Sequence, residues 1–157
     1  MPEVRPQRRS RRVAMTDAEL DAFLAAERVC RVATAGRHGP HATPLWFVWH
    51  DGYVWLSSIV RSQRWADLMA DPRIALVVDA GVEYHELCGV EITGRVDVVG
   101  EVPRTGEPND VLAPVEAKIA AKYRAQGEFE ADGRHAWLRV TPRTIASWDF
   151  RKLADLR

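Results

Sequence analysis

Apolar residues recur along the chain at two spacings, and the first spacing is helical. Leu20, Phe23 and Leu24 follow the segment Thr16-Asp17-Ala18-Glu19. In that segment the Thr hydroxyl and the Glu carboxylate can satisfy each other's free backbone N–H groups, as in a capping box. The pattern therefore predicts an amphipathic helix over about residues 17–28.

Short runs rich in β-branched and aromatic residues follow this helix. Strands are predicted at Cys30–Ala35, His41–Trp49 and Tyr53–Ile59. Between them lie the turn Gly36-Arg37-His38-Gly39 and the hairpin signal Asp51-Gly52. Three antiparallel strands are thus expected to open the domain.

The second half of the chain alternates again between helical and extended patterns. The predicted order is helix, strand, strand, helix, strand, at Ser62–Ala70, Ile74–Asp79, Gly89–Gly100, Val111–Gln126 and Ala136–Trp148. Gly94 is expected to be a bulge or a bend. The order α-βββ-α-ββ-α-β favours a mainly β protein with flanking helices, in the form of a closed or split β-barrel.

The composition indicates one domain with no strong charge preference. The 157 residues include 22 Lys and Arg against 22 Asp and Glu, which does not favour nucleic acid or a membrane as partner. Residues 1–14 carry five arginines before residue 13 and no apolar segment. We expect them to form a disordered basic arm, without a signal peptide, ahead of a domain at 15–157.

The two cysteines, Cys30 and Cys88, each stand alone in a predicted strand. Neither belongs to a CxxC or His-rich pattern, so we expect buried thiols, with no disulfide and no metal site. Free thiols suit a reducing cytoplasm.

Candidate chemistry concentrates between Leu45 and Arg64. Residues 45–49 are apolar on both faces of their strand, which is typical of a core or dimer interface as well as of a cofactor pocket. Arg61, Ser62 and Arg64 then stand at a predicted helix start. There, free N–H groups, a hydroxyl and guanidinium groups make a phosphate cradle, although an ordinary N-cap with solvated charges explains them too.

The order and spacing of several segments resemble the pyridoxamine 5'-phosphate oxidase-like superfamily of split β-barrel proteins. They are Gly39-Pro40-His41, Thr43–Phe47, Ser57, Arg61–Arg64 with Leu68, and Asp71-Pro72-Arg73. Within that superfamily, Ser62-Gln63-Arg64 and the closing segment 147–153 most resemble actinobacterial flavin/deazaflavin oxidoreductases that use coenzyme F-420, an 8-hydroxy-5-deazaflavin. The similarity covers nearly the whole chain.

The resemblance implies a cytoplasmic oxidoreductase that transfers a hydride from bound F-420 to a small planar conjugated substrate. It also implies a homodimer with two sites at its interface. The residues it assigns to the cofactor are Thr43, Pro44, Leu45, Trp46, Phe47, Ser57, Arg61, Ser62, Gln63 and Arg64. Relatives often have Lys at the position of Arg64, so the geometry of the phosphate contact differs here.

No catalytic side chain stands out in the sequence. Alternation along Glu83–Val90 would place His85 and Glu86 on opposite faces of a strand. Tyr84 and His85 can border a substrate pocket, and Trp148 either reaches the pocket of a partner subunit or packs at the interface. Two alternatives stay open: an FMN-dependent oxidase or reductase on the same fold, and a flavin- or deazaflavin-binding protein without turnover.

Overall fold

The computed structural model describes residues 1–123 and 127–156. Its helices are α1 (Asp17–Ala26), α2 (Gln63–Ala70) and α3 (Leu112–Tyr123). Its strands are β1 (Cys30–Gly36), β2 (Gly39–Leu45), β3 (Val48–His50), β4 (Tyr53–Ile59), β5 (Arg73–Ala80), β6 (Cys88–Val99) and β7 (His135–Asp149). Residues 124–126, the end of one predicted helix, lie outside the described residues.

The strands form one antiparallel sheet in the order β2-β1-β5-β6-β7-β4-β3. Strands β1 and β4 are separated by three strands, yet Val32 and Leu56 belong to the same buried cluster. The sheet must therefore curl around one core. This confirms a mainly β antiparallel fold with flanking helices; the predicted homodimer stays a prediction.

The predicted strand His41–Trp49 is wrong in one respect, because the structure divides it into β2 and β3. Trp46 and Phe47 lie between the two strands. The backbone N–H and C=O of Phe47 bond to the Tyr123 hydroxyl and not to a neighbouring strand. Four strands therefore precede α2.

Local signals at the helix starts are confirmed. The Thr16 hydroxyl accepts from the Glu19 N–H at 3.2 Å, and the Glu19 carboxylate accepts from the Thr16 N–H at 2.8 Å. This capping box begins α1, which ends at Ala26 because Glu27 is extended. Cys30 and Cys88 are free and buried, as expected, and burial raises the pKa of the Cys30 thiol to about 12.

The strand alternation predicted along Glu83–Val90 is wrong at its start. Residues Tyr84–Glu86 form a short 3-10 turn, in which the Glu86 N–H donates to the Glu83 carbonyl at 2.8 Å. Gly81 turns the chain with φ +93 just before it, in contact with the Glu86 backbone. Strand β6 begins only at Cys88, so His85 and Glu86 do not lie on opposite faces of a strand.

The basic arm at residues 1–14, expected to be disordered, lies along β7 in the structure. Strand β4 pairs only with residues 135–140 of β7. On that side, the backbone groups of the remaining β7 residues have no strand partner within the described part of the chain. The Arg5 N–H donates to the Arg143 carbonyl at 3.1 Å, and the Gln7 amide pairs with the Ser147 N–H and C=O at 2.9 and 3.0 Å. Unpaired backbone groups at a sheet edge favour a segment that lies along them. The charge pattern of residues 1–14 does not reveal this contact, because the contact depends on tertiary structure.

Among the described residues, none of the helices has the length and apolar character needed to cross a membrane.

The expected irregularity at Gly94 is confirmed by a register shift between β6 and β7 at Thr93/Gly94. A Cβ on Gly94 would lie 2.1 Å from the carbonyl oxygen of Thr141.

We predict that Gly94→Ala lowers the free energy of unfolding by about 1–3 kcal/mol, because the backbone has to move to admit the methyl group. Urea denaturation measures this, with Glu91→Ala at an exposed position of β6 as control; equal effects of both changes would contradict it.

Candidate functional site

A cavity of about 240 Å³ lies where α3 packs against the outer face of the sheet. Three residues predicted to bind a cofactor, Leu45, Trp46 and Ser57, line it together. Tyr123 of α3 and Trp137 of β7 supply further aromatic wall. The cavity is therefore mostly apolar, which suits a planar ligand.

Tyr123 joins α3 to the break between β2 and β3. Its hydroxyl lies 2.7 Å from the Arg28 carbonyl and 2.8 Å from the Phe47 carbonyl, and it accepts from the Phe47 N–H at 3.1 Å. Its ring stacks on Trp46 with centroids 4.4 Å apart. Burial raises the pKa of Tyr123 to about 12, so the hydroxyl keeps its proton as a donor.

Lys122 strengthens the same junction from the preceding position of α3. Its Nζ donates to the carbonyls of Leu24 and Phe47 at 3.2 and 3.4 Å and lies 3.9 Å from the centre of the Phe47 ring. Burial lowers the pKa of Lys122 to about 8. Phe47, predicted to meet the cofactor, is a fully buried core residue whose backbone polar groups already have partners within the chain.

Arg64 points inward from the first turn of α2. It is only 9% exposed; its Nη1 donates to the Thr43 hydroxyl at 2.6 Å and its Nε to the Ser58 hydroxyl at 3.3 Å. The structure thus brings together Thr43 and Arg64, both predicted site residues. Burial lowers the pKa of the Arg64 guanidinium, and its Nη2 has no hydrogen-bond partner among the described residues.

The other predicted cradle residues have partners inside α2. The Ser62 hydroxyl accepts from the Trp65 N–H at 3.1 Å as the N-cap, and the Gln63 amide donates to Asp67 at 2.7 Å. Hydrogen bonds from Gln63 and Thr34 lower the pKa of Asp67. The Ser62 side chain is therefore an ordinary N-cap. Among the described residues, no hydrogen-bond partner is found for the exposed Arg61 side chain or for the backbone N–H groups of Gln63 and Arg64.

The residues predicted for a substrate or partner pocket lie elsewhere. Tyr84 is 70% exposed on the 3-10 turn and packs on Phe150 with ring centroids 5.1 Å apart, and His85 is exposed beside it. Trp148 covers Gly89 near the end of β7, whereas the cavity lies at the beginning of that strand. Pro44 is exposed on β2. None of these four residues lines the cavity.

A histidine and an aspartate that no sequence pattern singled out lie at the polar end of the cavity. The His135 Nδ1 lies 2.5 Å from the Asp132 carboxylate, and both residues line the cavity with Ser57. Asp132 lies three residues before His135, across Gly133. The only local pattern at this place is an Asp-Gly pair, which indicates a turn before a strand. That pattern does not show that the turn borders a cavity.

A second missed group is a buried ion-pair cluster beside the cavity. Arg104 is 3% exposed and pairs with Glu101 at 2.6 Å and with Glu116 of α3 at 2.7 Å. The Trp137 indole N–H also donates to Glu116, at 3.1 Å. Hydrogen bonds, first that from Thr105, lower the pKa of Glu101 to about 2. The cluster fixes α3 against the loop that follows β6.

The protein is thus a curled antiparallel β-sheet domain with two notable features. The buried Arg64 and its partners Thr43 and Ser58 form an arginine corner just after β4, and an aromatic cavity lies on the outer face of the sheet. The chain belongs to the pyridoxamine 5'-phosphate oxidase family, whose model matches residues 16–149. Comparison with curated proteins gives no match.

Solved structures show the same fold. A conserved hypothetical protein from Mycobacterium tuberculosis is 27% identical, with 94% of this chain and 93% of that chain covered and a TM-score of 0.80. An FAD-binding protein from Mesorhizobium loti is 18% identical, with 85% and 93% covered and a TM-score of 0.60. An F-420 reductase is 21% identical, with 80% and 94% covered and a TM-score of 0.60. The last two similarities concern the fold alone.

The Tyr123 contacts give a stability prediction. Tyr123→Phe keeps the ring on Trp46 but leaves the buried Phe47 N–H without its acceptor, so we expect a loss of about 1–3 kcal/mol in the free energy of unfolding. Thermal and urea denaturation measure it. Tyr84→Phe, which removes the hydroxyl of an exposed tyrosine, is the matched control, and a Tyr123→Phe loss no larger than that of the control would contradict the prediction.

Proposed function

We propose that this protein is an oxidoreductase that binds coenzyme F-420 and reduces a small planar conjugated acceptor. The observation that carries the proposal is the buried guanidinium of Arg64. Among the described residues it contacts two neutral hydroxyls, of Thr43 and Ser58, and no carboxylate lies within salt-bridge distance. A buried cation without an anion is costly, and a phosphate group would supply the missing charge.

The donors around Arg64 fit a phosphate. The Arg64 Nη2 and the first backbone N–H groups of α2 are without partners among the described residues. The backbone N–H groups lie at a helix start, where the helix dipole favours an anion. Arg61 adds an exposed guanidinium within the same short segment, and charge-assisted bonds of this kind are the strong ones.

The wall beside this corner fits a flat ring system. Thr43, whose hydroxyl accepts from Arg64, is followed by Leu45 at the end of β2 and then by Trp46 in the break after it. Half of the Trp46 surface is exposed. The reduced deazaflavin, when bound, supplies the hydride. The residues of this chain would hold its phosphate at Arg64, orient its ring against Leu45 and Trp46, and exclude water from it.

The proposal includes a homodimer in the cytoplasm. Tyr84, His85 and Trp148 lie far along the chain's own sheet from the cavity, so their predicted role in a pocket requires a second copy. Exposed apolar side chains near Tyr84, among them Val82 at 87% exposure, favour such an interface. Two buried free thiols suit a reducing compartment.

FMN is the second candidate cofactor. The family match to pyridoxamine 5'-phosphate oxidase and the fold shared with an FAD-binding protein favour a flavin. FMN ends in a single phosphate, which the Arg64 corner alone is able to hold. F-420 continues beyond its phosphate into an acidic tail and would use Arg61 as well.

Cofactor identity is tested by titrating the purified protein separately with F-420 and with FMN while cofactor fluorescence is followed. We expect saturable binding of F-420, tighter than that of FMN. Tight binding of FMN with no binding of F-420 would replace the leading cofactor by the second candidate. Failure of both to bind would overturn the oxidoreductase proposal.

Arginine substitutions test the phosphate corner. Arg64→Ala should weaken cofactor binding by about 1.5–3 kcal/mol, because a charge-assisted bond is lost, and Arg64→Lys should restore part of the affinity. Arg61→Ala should weaken F-420 more than FMN. Arg143→Ala, an exposed arginine of β7, is the matched control; unchanged affinity in Arg64→Ala would place the phosphate elsewhere.

A further inference from the structure

The pair formed by Asp132 and His135 is the only histidine–carboxylate contact of its kind among the described residues, and it lies at the polar end of the cavity under α3. Its imidazole Nδ1 is 2.5 Å from the Asp132 Oδ2. The His135 side chain is 34% exposed and lines the cavity with Ser57, which lies on the neighbouring strand β4. The imidazole Nε2 has no hydrogen-bond partner among the described residues.

Asp132 is itself held in place. Its Oδ1 accepts the backbone N–H groups of Arg134 and His135 at 2.8 and 3.0 Å. Burial raises the pKa of the Asp132 carboxyl, but these bonds and the contact with the His135 ring outweigh it, so the pKa lies below its ordinary value. An ionised Asp132 accepts the Nδ1 proton, which in the neutral imidazole leaves Nε2 as an acceptor.

The groups around the imidazole select the charge of a ligand. Glu130 and Asp132 come from the loop before β7, and Arg104 lines the same cavity already paired with Glu101 and Glu116. Because Glu101 and Glu116 compensate the charge of Arg104, the carboxylates of Glu130 and Asp132 leave the polar end negative while the His135 imidazole is neutral. An anion is disfavoured there, and a neutral molecule is not.

The walls select the shape. Trp46 stacks on Tyr123, and Phe129 packs against Trp137 with ring centroids 5.9 Å apart. Both aromatic pairs line the cavity, whose volume of about 240 Å³ admits one or two fused rings. A planar apolar body with one polar atom directed at His135 meets these requirements.

We propose that the cavity under α3 is a ligand site for a planar, uncharged molecule, and that His135, positioned by Asp132, exchanges a proton with that molecule through Nε2. A ligand O–H or N–H proton moves to the Nε2 lone pair, and the Asp132 carboxylate stabilises the imidazolium that forms. In the opposite direction, the Nε2–H of the imidazolium would protonate the anion that hydride transfer from a bound reduced cofactor would leave on a double bond of the ligand, and the neutral imidazole would be restored. Only this second direction rests on the proposed function.

The test uses 4-nitrophenol and nitrobenzene as probes of the full-length protein without cofactor, with tryptophan fluorescence as the readout. The two molecules share a flat ring, but only 4-nitrophenol has an O–H to donate to Nε2. We expect 4-nitrophenol to bind in its neutral form, with affinity falling as pH rises through its own ionisation. His135→Gln and Asp132→Asn should each weaken 4-nitrophenol roughly tenfold, the size of one net hydrogen bond, and leave nitrobenzene unchanged.

His38→Gln, a change at an exposed histidine of the β1–β2 turn, is the matched control and should alter neither probe. Unchanged 4-nitrophenol affinity in His135→Gln would overturn the proposal. Equal weakening of both probes would overturn it as well, since it would show that His135 only packs the cavity. Absence of binding of either probe to the wild-type protein would also reject the site.

These outcomes separate the two proposals. The probes need no cofactor, so a protein that binds neither F-420 nor FMN still gives a clear result for His135. If F-420 does bind and turnover is found, His135→Gln should keep the cofactor affinity and lose one limb of the pH profile for acceptor reduction. Loss of cofactor affinity in His135→Gln would instead assign the residue to the cofactor site.

Discussion

The backbone of Phe47 imposes the constraint on which this site depends. Phe47 is fully buried between β2 and β3, where no strand of the described residues pairs with it, so its N–H and C=O require other partners. The Tyr123 hydroxyl meets both, and Lys122 adds a second donor to the carbonyl. One helix end therefore fixes the strand break, and the break sends Phe47 into the core while Trp46 faces the cavity.

Strand alternation then divides the region between Leu45 and Arg64 into two compartments. Ser57 and Ser58 are neighbours on β4, and successive side chains of a strand point to opposite faces. Ser58 contacts Arg64 on the core side, whereas Ser57 lines the cavity under α3. Ser58 and Ser57 thus serve the Arg64 corner and the aromatic cavity from opposite faces of β4. The two regions come together at the end of the edge strand β2, where Thr43 contacts Arg64 while Leu45, with Trp46 just after it, lines the cavity.

The features that the sequence predicted well are those decided by residues close together in the chain. The Thr16 capping box, the Asp51-Gly52 hairpin and the irregularity at Gly94 each depend on a few neighbours, and all three are present. The break at Phe47 depends on Tyr123, 76 residues away. The contact of residues 1–14 with β7 depends in the same way on an edge that is distant in sequence. His135 was overlooked because a histidine at a strand start has no distinctive pattern until the loop before it is placed against a cavity.

The two arginines that are buried among the described residues, Arg64 and Arg104, differ in how their charge is compensated. Arg104 has two carboxylate partners, so its charge is compensated within the chain, and the excess carboxylates leave its surroundings negative. Arg64 is buried to a similar degree, yet its two partners are hydroxyls, and burial lowers its pKa. Removing a charge from water is repaid only by an opposite charge nearby. An anion at Arg64 would complete an arrangement that Arg104 has without any ligand, and this difference supports the proposed phosphate site at Arg64 rather than at Arg104.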